Sequence, residues 1–181
     1  MSPPDGETSL RVATLDSPVG PLLVAADDAW VWLVEYAAET RARRQLDRVS
    51  LRLNATVADG CTPLTEQLGE ELAEYFAGRL TKFTTPVKLV GTPFQGRIWA
   101  ELCRIPAGQT TSYAELARRI DRPTAVRAVG AANGANPISI LVPCHRVVNT
   151  GGGLGGYGGG LDRKRWLLEH EQRVSGQRLF V

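Results

Sequence analysis

Residues 111–137 read TSYAELARRIDRPTAVRAVGAANGANP, two short helices written around a turn. Ser112-Tyr113-Ala114-Glu115 matches a capping box, in which a hydroxyl and a carboxylate three residues apart each satisfy a free backbone N–H at a helix start. Leu116, Ala117 and Ile120 then fall on one inward face. A turn at Asp121-Arg122-Pro123 leads to Thr124 as the next N-cap, and a second helix is expected from about Ala125 to Gly134. Asn136-Pro137 closes it, because the residue before a proline is pushed out of the α region. Two helices joined this way resemble a helix-turn-helix.

The second helix carries little bulk. Ala125, Ala128, Gly130, Ala131, Ala132 and Gly134 are small, and Arg127 is its one long cation. Small residues admit close approach, and composition alone is satisfied equally by a neighbouring helix or by a nucleic-acid groove. Asn136 is open in the same way: a plain turn residue, or an amide tying two backbone segments together.

Downstream, residues 138–142 (ISILV) are expected to form a short buried strand that Pro143 stops, delivering the tetrapeptide PCHR at residues 143–146. Only two histidines and three cysteines occur in the chain, and here one of each is adjacent beside an arginine. That places a nucleophile, a base and a cation together. The glycine-rich residues 151–160 lack the lysine-serine pair of a phosphate loop and are read as an adaptable loop or wing.

Upstream, Thr92-Pro93 marks the start of a helix with Phe94, Ile98, Leu102 and Ile105 on its apolar face, closing at Pro106-Ala107-Gly108; Cys103 on it is read as structural. Earlier still, residues 8–15, 21–26 and 30–36 alternate with turn signals as a strand meander, and residues 38–48 suit a charged, exposed helix. Thr62-Pro63 opens another helix that Gly78 ends. Cys61 reads as a loop thiol. Nothing catalytic is visible before about residue 90. The division is therefore an α/β scaffold over residues 1–88 and a mainly helical domain over residues 89–181.

Composition bounds the function. At 181 residues and 43% hydrophobic, the chain is long enough to bury a core, which excludes general disorder. No apolar run approaches the ~20 residues that span a bilayer, and MSPPDGETS has neither a basic nor an apolar export region, so a cytoplasmic location and no membrane partner are expected. Three widely spaced cysteines argue for reduced thiols and against a disulfide framework or a metal pair. Net charge is +2, yet residues 111–165 carry eight basic side chains (Arg118, Arg119, Arg122, Arg127, Arg146, Arg163, Lys164, Arg165) against Glu115, Asp121 and Asp162. Such a half suits an anionic partner or a solvated face.

Taken in order, LDSPVGPLLVAA, TPFQGRIWAELCRIPAG, TSYAELA, RAVGAANGANP, ILVPCHRVV and GYGGGLDRKRWLLEHE resemble the O6-alkylguanine-DNA alkyltransferase family. The resemblance covers nearly all of residues 10–171, and PCHRV is its most specific motif. It implies a ribonuclease-H-like α/β region followed by a winged-helix-like domain with the helix-turn-helix. The implied activity is stoichiometric repair of O6-alkylguanine, and of O4-alkylthymine, in double-stranded DNA. The base is flipped out and its alkyl group moves irreversibly to the protein.

Residue by residue, the resemblance makes Cys144 the acceptor, His145 the base that draws its proton through a water, and Glu171 the carboxylate that orients His145. Tyr113 would contact the flipped nucleotide and offset charge at guanine O6. Arg127 would fill the gap in the base stack, at an unstacking cost of a few kcal/mol. Asn136 would be the hinge between recognition helix and active-site loop. Thr124, Ala125, Ala128 and Ala131 would line the minor groove. Tyr157, Gly158 and Gly159 would close over the base, while the main chain at Cys144 and Val147 reads its edge. Some relatives carry serine where Gly158 stands, which implies a roomier pocket here. No cofactor or metal is implied, since the N-terminal half has no histidine and only Cys61. A monomer in solution, cooperative on DNA, is expected. Against this stand three other classes: a lesion-marking binding module, which would lack Cys144; a helix-turn-helix transcription factor, which needs side chains for base readout; and a multiple-turnover cysteine hydrolase.

Overall fold

A computed structural model describes residues 8–38 and 40–176. The meander forms as expected: β1 (Ser9–Leu15), β2 (Leu22–Ala26) and β3 (Val31–Tyr36) pair antiparallel. The β1–β2 turn needs Gly20, whose φ of +99° puts it where a side chain is disfavoured. At the next turn the Asp27 carboxylate accepts the backbone N–H groups of Ala29 and Trp30 and, at 2.8 Å, the indole of Trp32. A fourth strand, β4 (Thr56–Asp59), was not legible as one; it is four residues long, exposed throughout, and pairs parallel with β1 to give the order β3-β2-β1-β4.

The charged helix is α1 (Thr40–Leu53), longer than residues 38–48 and not simply exposed. Ala42, Gln45, Leu46 and Val49 recur at helical spacing and pack on one sheet face, Leu46 with Ala25 and Leu33. Every residue of β3 is thereby buried, because α1 covers one face while Val34 and Tyr36 face the main core on the other. Helix α2 (Pro63–Phe76) carries the Thr62 cap with Pro63 in its first turn, and Gly78 follows its end in a left-handed conformation.

The second half is built from α3 (Pro93–Leu102), α4 (Tyr113–Arg119), α5 (Val126–Gly134) and α6 (Leu161–Ser175), with two short parallel strands, β5 (Thr111–Ser112) and β6 (Val147–Val148). Thr92 and Gln95 cap α3 reciprocally, and Cys103 is its exposed C-cap. Buried Trp99 joins α3 to α5 by donating its indole N–H to the Ala132 carbonyl at 3.0 Å.

Three local expectations are corrected. Ser112 caps α4 through the Glu115 N–H, but the Glu115 carboxylate pairs with Arg118 and Arg119 instead of completing the box. Ala125, not Thr124, is the N-cap of α5, and no side chain caps it. Residues 138–142 are buried, Leu141 only in part, but are not a strand. Only Ile138 bridges to Val34; Ile140 then takes a φ of +73°, and the Val142 N–H turns back to the Ile138 carbonyl. An apolar run signals burial, and burial is equally served by a compact turn.

Candidate active site

That turn is held from within by Asn136, which has no solvent exposure. Its amide nitrogen donates to the Val142 carbonyl at 2.8 Å and the Ile138 carbonyl at 3.1 Å, while its oxygen accepts the Ile138 N–H at 3.0 Å. The two readings left open by sequence thus resolve toward the tie. The chain next enters a single 3-10 turn, Cys144–Arg146, so the thiol arrives on a braced loop end, not on a strand.

Cys144 is 6% exposed and lines a cavity of about 500 Å³ with Tyr113, Asn133, Ser139, Tyr157, Gly158 and Gly159 among its walls. Burial pushes its thiol up to about 11, against the pull of the Asn136 amide and the cations Arg41 and Lys164. The resting sulfur is therefore protonated.

His145, next in the same turn, has no exposure. Desolvation lowers it from its ordinary value, outweighing the Glu171 charge, so the ring is neutral at physiological pH. Its Nε2 meets Glu171 Oε1 at 2.9 Å; because the carboxylate only accepts, Nε2 carries the hydrogen. Nδ1 is then the acceptor, and it is buried with no hydrogen-bond partner among the described residues.

Glu171 comes from α6, 26 residues beyond His145, and is gripped from several sides. Arg146 donates Nε and Nη2 to its two oxygens, each at 2.8 Å; the Tyr75 hydroxyl donates at 2.8 Å and the Gly108 N–H at 3.2 Å. Burial pushes the carboxyl up, but these donors, His145 and Arg146 foremost, outweigh it and hold it well below the usual range. Arg146 also donates Nη1 to the Ile105 carbonyl. A buried carboxylate so completely paired stays an anion and fixes the imidazole's tautomer.

The remaining predicted residues fall into three groups. Tyr113, Tyr157, Gly158 and Gly159 line the cavity, as does Arg127 at its rim. The Tyr113 hydroxyl donates to the Gly156 carbonyl at 3.2 Å, and the Tyr157 and Tyr36 hydroxyls lie 2.8 Å apart. Thr124, Arg127, Ala128 and Ala131 are exposed along α5, with Ala125 partly so, while Val129, Ala132 and Asn133 form its buried side. Val147 stands apart: it is fully buried, is not among the cavity's lining residues, and its carbonyl accepts Lys164 Nζ at 2.6 Å.

Several neighbours escaped sequence reading. Lys164 is buried, donates also to the Gly156 carbonyl at 3.3 Å, and is lowered to about 8 by desolvation. In DRKR it looks like one more surface charge; its signal is spacing, since it shares the stripe of Leu167, Leu168 and Glu171 on α6. Tyr36, Arg41 and Tyr75 come from the first 90 residues, where nothing catalytic is visible in the sequence. No local pattern marks them, because the approach of the two halves is a tertiary fact.

The chain is similar to known proteins over both of its halves. Residues 10–89 match the model of the 6-O-methylguanine DNA methyltransferase ribonuclease-like domain, and residues 93–173 match that family's DNA-binding domain. A methylated-DNA–protein-cysteine methyltransferase from Shigella flexneri is 44% identical over 89% of this chain and 93% of its own. One of the same name from Mycolicibacterium paratuberculosis is also 44% identical, over 92% and 94%. Among solved structures, the Mycobacterium tuberculosis O6-methylguanine methyltransferase superposes with a TM-score of 0.77 at 42% identity, covering 91% of this chain and 94% of that one. The M. tuberculosis protein OGT in complex with DNA gives the same score and identity, over 92% and 94%. With both of its halves matched, this chain belongs to the 6-O-methylguanine DNA methyltransferase family.

Proposed function

We propose that this chain repairs DNA by taking the alkyl group from O6 of a flipped-out guanine, and from O4-alkylthymine, onto Cys144, once per molecule. The observation that carries the reading is the buried Cys144, His145 and Glu171 arrangement opening on a cavity large enough for a base. Its support is chemical. Neutral His145 with its hydrogen on Nε2 offers Nδ1 as a base, reached from the thiol through one water. As the sulfur–carbon bond forms, the carbon–O6 bond breaks and its electron pair goes to the guanine. The proton that left the thiol ends on that guanine, so atoms and charge balance without cofactor or metal. Nothing removes the thioether, and the sulfur is spent.

Roles for the other residues follow. Tyr113, raised by burial and by the charge Cys144 carries once ionised, stays a neutral hydroxyl able to donate toward charge developing on the base. Arg127, exposed near the start of slim α5, fits the gap in the base stack, with Thr124, Ala125, Ala128 and Ala131 against the minor groove. Asn136 fixes the loop that presents Cys144. Binding is largely to phosphate, sequence-tolerant and salt-sensitive, by a protein that is a monomer in solution and cooperative on DNA. A reactive thiol belongs in the reducing cytoplasm.

A titration of the protein with duplex DNA carrying labelled O6-methylguanine tests this directly. Label is expected to saturate near one equivalent, to be found by intact mass and peptide mapping on Cys144, and to vanish in Cys144→Ser. Release of label beyond the molar amount of protein would instead make the chain a hydrolase.

A further inference from the structure

Against the cavity lies an ion pair that makes no bond and moves no proton in methyl transfer. Glu35, in β3, has no solvent exposure, and Arg41, at the start of α1, donates Nε to it at 2.6 Å. The other Glu35 oxygen accepts the Tyr36 N–H at 3.2 Å and the Ser139 hydroxyl at 3.3 Å. A carboxylate this deep is tolerated because its lone pairs are met. Arg41 in turn donates Nη2 to the Asn136 carbonyl at 3.0 Å, so one guanidinium joins the N-terminal half to the braced loop.

Its third nitrogen, Nη1, has no hydrogen-bond partner among the described residues, and Arg41 lines the cavity together with Cys144, Tyr157 and Gly158. What admits it is Gly158. A Cβ at that position would stand 2.7 Å from Arg41 Nε and 2.8 Å from Cζ, closer than real contacts allow, and a tight 3.1 Å from Nη1, so the guanidinium would have to shift. Gly158 has no positive φ, so its lack of a side chain matters for space and not for backbone conformation. The space that a bare glycine opens is thus filled by a cation, and the pocket is not simply roomier.

We propose that Arg41 is a specificity-determining residue that lets this cavity accept O6-alkyl groups ending in a carboxylate or another hydrogen-bond acceptor, O6-carboxymethylguanine being the simplest. The proposal deepens the alkyl-transfer reading and rests on it. A carboxymethyl tail brings a negative charge next to a sulfur that must itself become negative, and an unpaired charge in a desolvated site is strongly disfavoured. A guanidinium edge with unfilled donors answers that charge with paired hydrogen bonds, a geometry an ammonium does not offer. Glu35, held on the Nε side, offsets the guanidinium's charge, so what Arg41 offers the cavity is the hydrogen-bond donors left over at Nη1. Lys164 is committed to the carbonyls of Val147 and Gly156. The transfer itself is unchanged: the bond from sulfur to the carboxymethyl CH2 forms, the CH2–O6 bond breaks, and the thiol proton ends on guanine.

Single-turnover rates on duplexes carrying O6-methylguanine, O6-carboxymethylguanine and its neutral analogue O6-carbamoylmethylguanine test the idea. Wild-type protein is expected to transfer all three groups. In Arg41→Gln the carboxymethyl-to-methyl rate ratio is expected to fall by about tenfold or more, the scale of a lost hydrogen bond to a charged group, and the carbamoylmethyl ratio by less. Because Arg41→Gln strands buried Glu35, the double variant Glu35→Gln/Arg41→Gln, which removes both charges, and Gly158→Ala, which crowds the guanidinium while leaving both charged residues present, are measured beside it and are expected to lower the same ratio. An unchanged ratio in every variant that folds overturns the proposal, as does wild-type protein that transfers methyl but not carboxymethyl. Protein that transfers neither sinks the alkyl-transfer reading itself.

Discussion

His145 illustrates how one residue's surroundings decide its chemistry. An exposed histidine would be half charged near pH 6.5, and a charged ring has no lone pair to accept a proton. Burial lowers this ring below that value, while Glu171 accepts the hydrogen bond from Nε2–H and leaves Nδ1 as the base. The transfer rate on O6-methylguanine duplex is therefore expected to hold steady from pH 8 down through 6.5 and to fall only at more acidic pH. A rate that halves near 6.5 would show a ring in ordinary solvent contact. Replacing the base by His145→Phe is expected to slow transfer by about 10²–10⁴-fold, the usual share of general base catalysis, measured in single turnover. Lys164 shows the same dependence in reverse: sequence presents it as a solvated cation, and only its burial among the carbonyls of Val147 and Gly156 makes it part of the site.

At the scale of elements, what sequence revealed depended on whether the signal was local. The caps at Thr62 and Thr92 are written in consecutive residues, and both form as read. So are the three strands of the meander, with turns that need Gly20 and Asp27 between them. Residues 138–142 defeat the same logic, since their conformation is imposed by a side chain, Asn136, whose bonds no hydrophobic pattern encodes. The identity of that tie makes a prediction. Asn136→Ala strands the buried Ile138 N–H and takes one of two donors from each of the Ile138 and Val142 carbonyls, which keep the Val142 and Cys144 N–H groups; a buried group left without a partner costs about 1–3 kcal/mol. The variant is expected to lose about 1–3 kcal/mol of stability, read from the urea midpoint, and to lose transfer activity out of proportion to its unfolded fraction because Cys144 is no longer presented. A variant with wild-type stability would mean that the loop holds itself, and Asn136 would revert to a plain turn residue.

At the scale of the molecule, the two halves meet through polar contacts as well as through a common core. Tyr75 from α2 donates to Glu171, Tyr36 from β3 meets Tyr157, and Gln45 and Arg41 from α1 reach the backbone at the end of α5. Because the buried relay sits at this junction, its ionisation is coupled to the folding of the whole chain. His145 is lowered in the folded state, so as pH falls below its ordinary 6.5 the unfolded chain takes up a proton that the native protein does not, and stability declines from there. Glu171 is lowered too; its contribution is intact above its ordinary 4.5 and is lost as pH falls below that value toward the folded one. Both effects have one sign, and the melting temperature is expected to fall in two stages, gently from about pH 6.5 and steeply below about 4.5. In His145→Phe the upper stage should disappear while the lower one remains. A calorimetric series between pH 8 and pH 4 on wild type and variant decides it: a wild-type melting temperature that stays level from pH 7 to 5 would show that the imidazole is not buried neutral, and the assignment of Nδ1 as the base would fall with it.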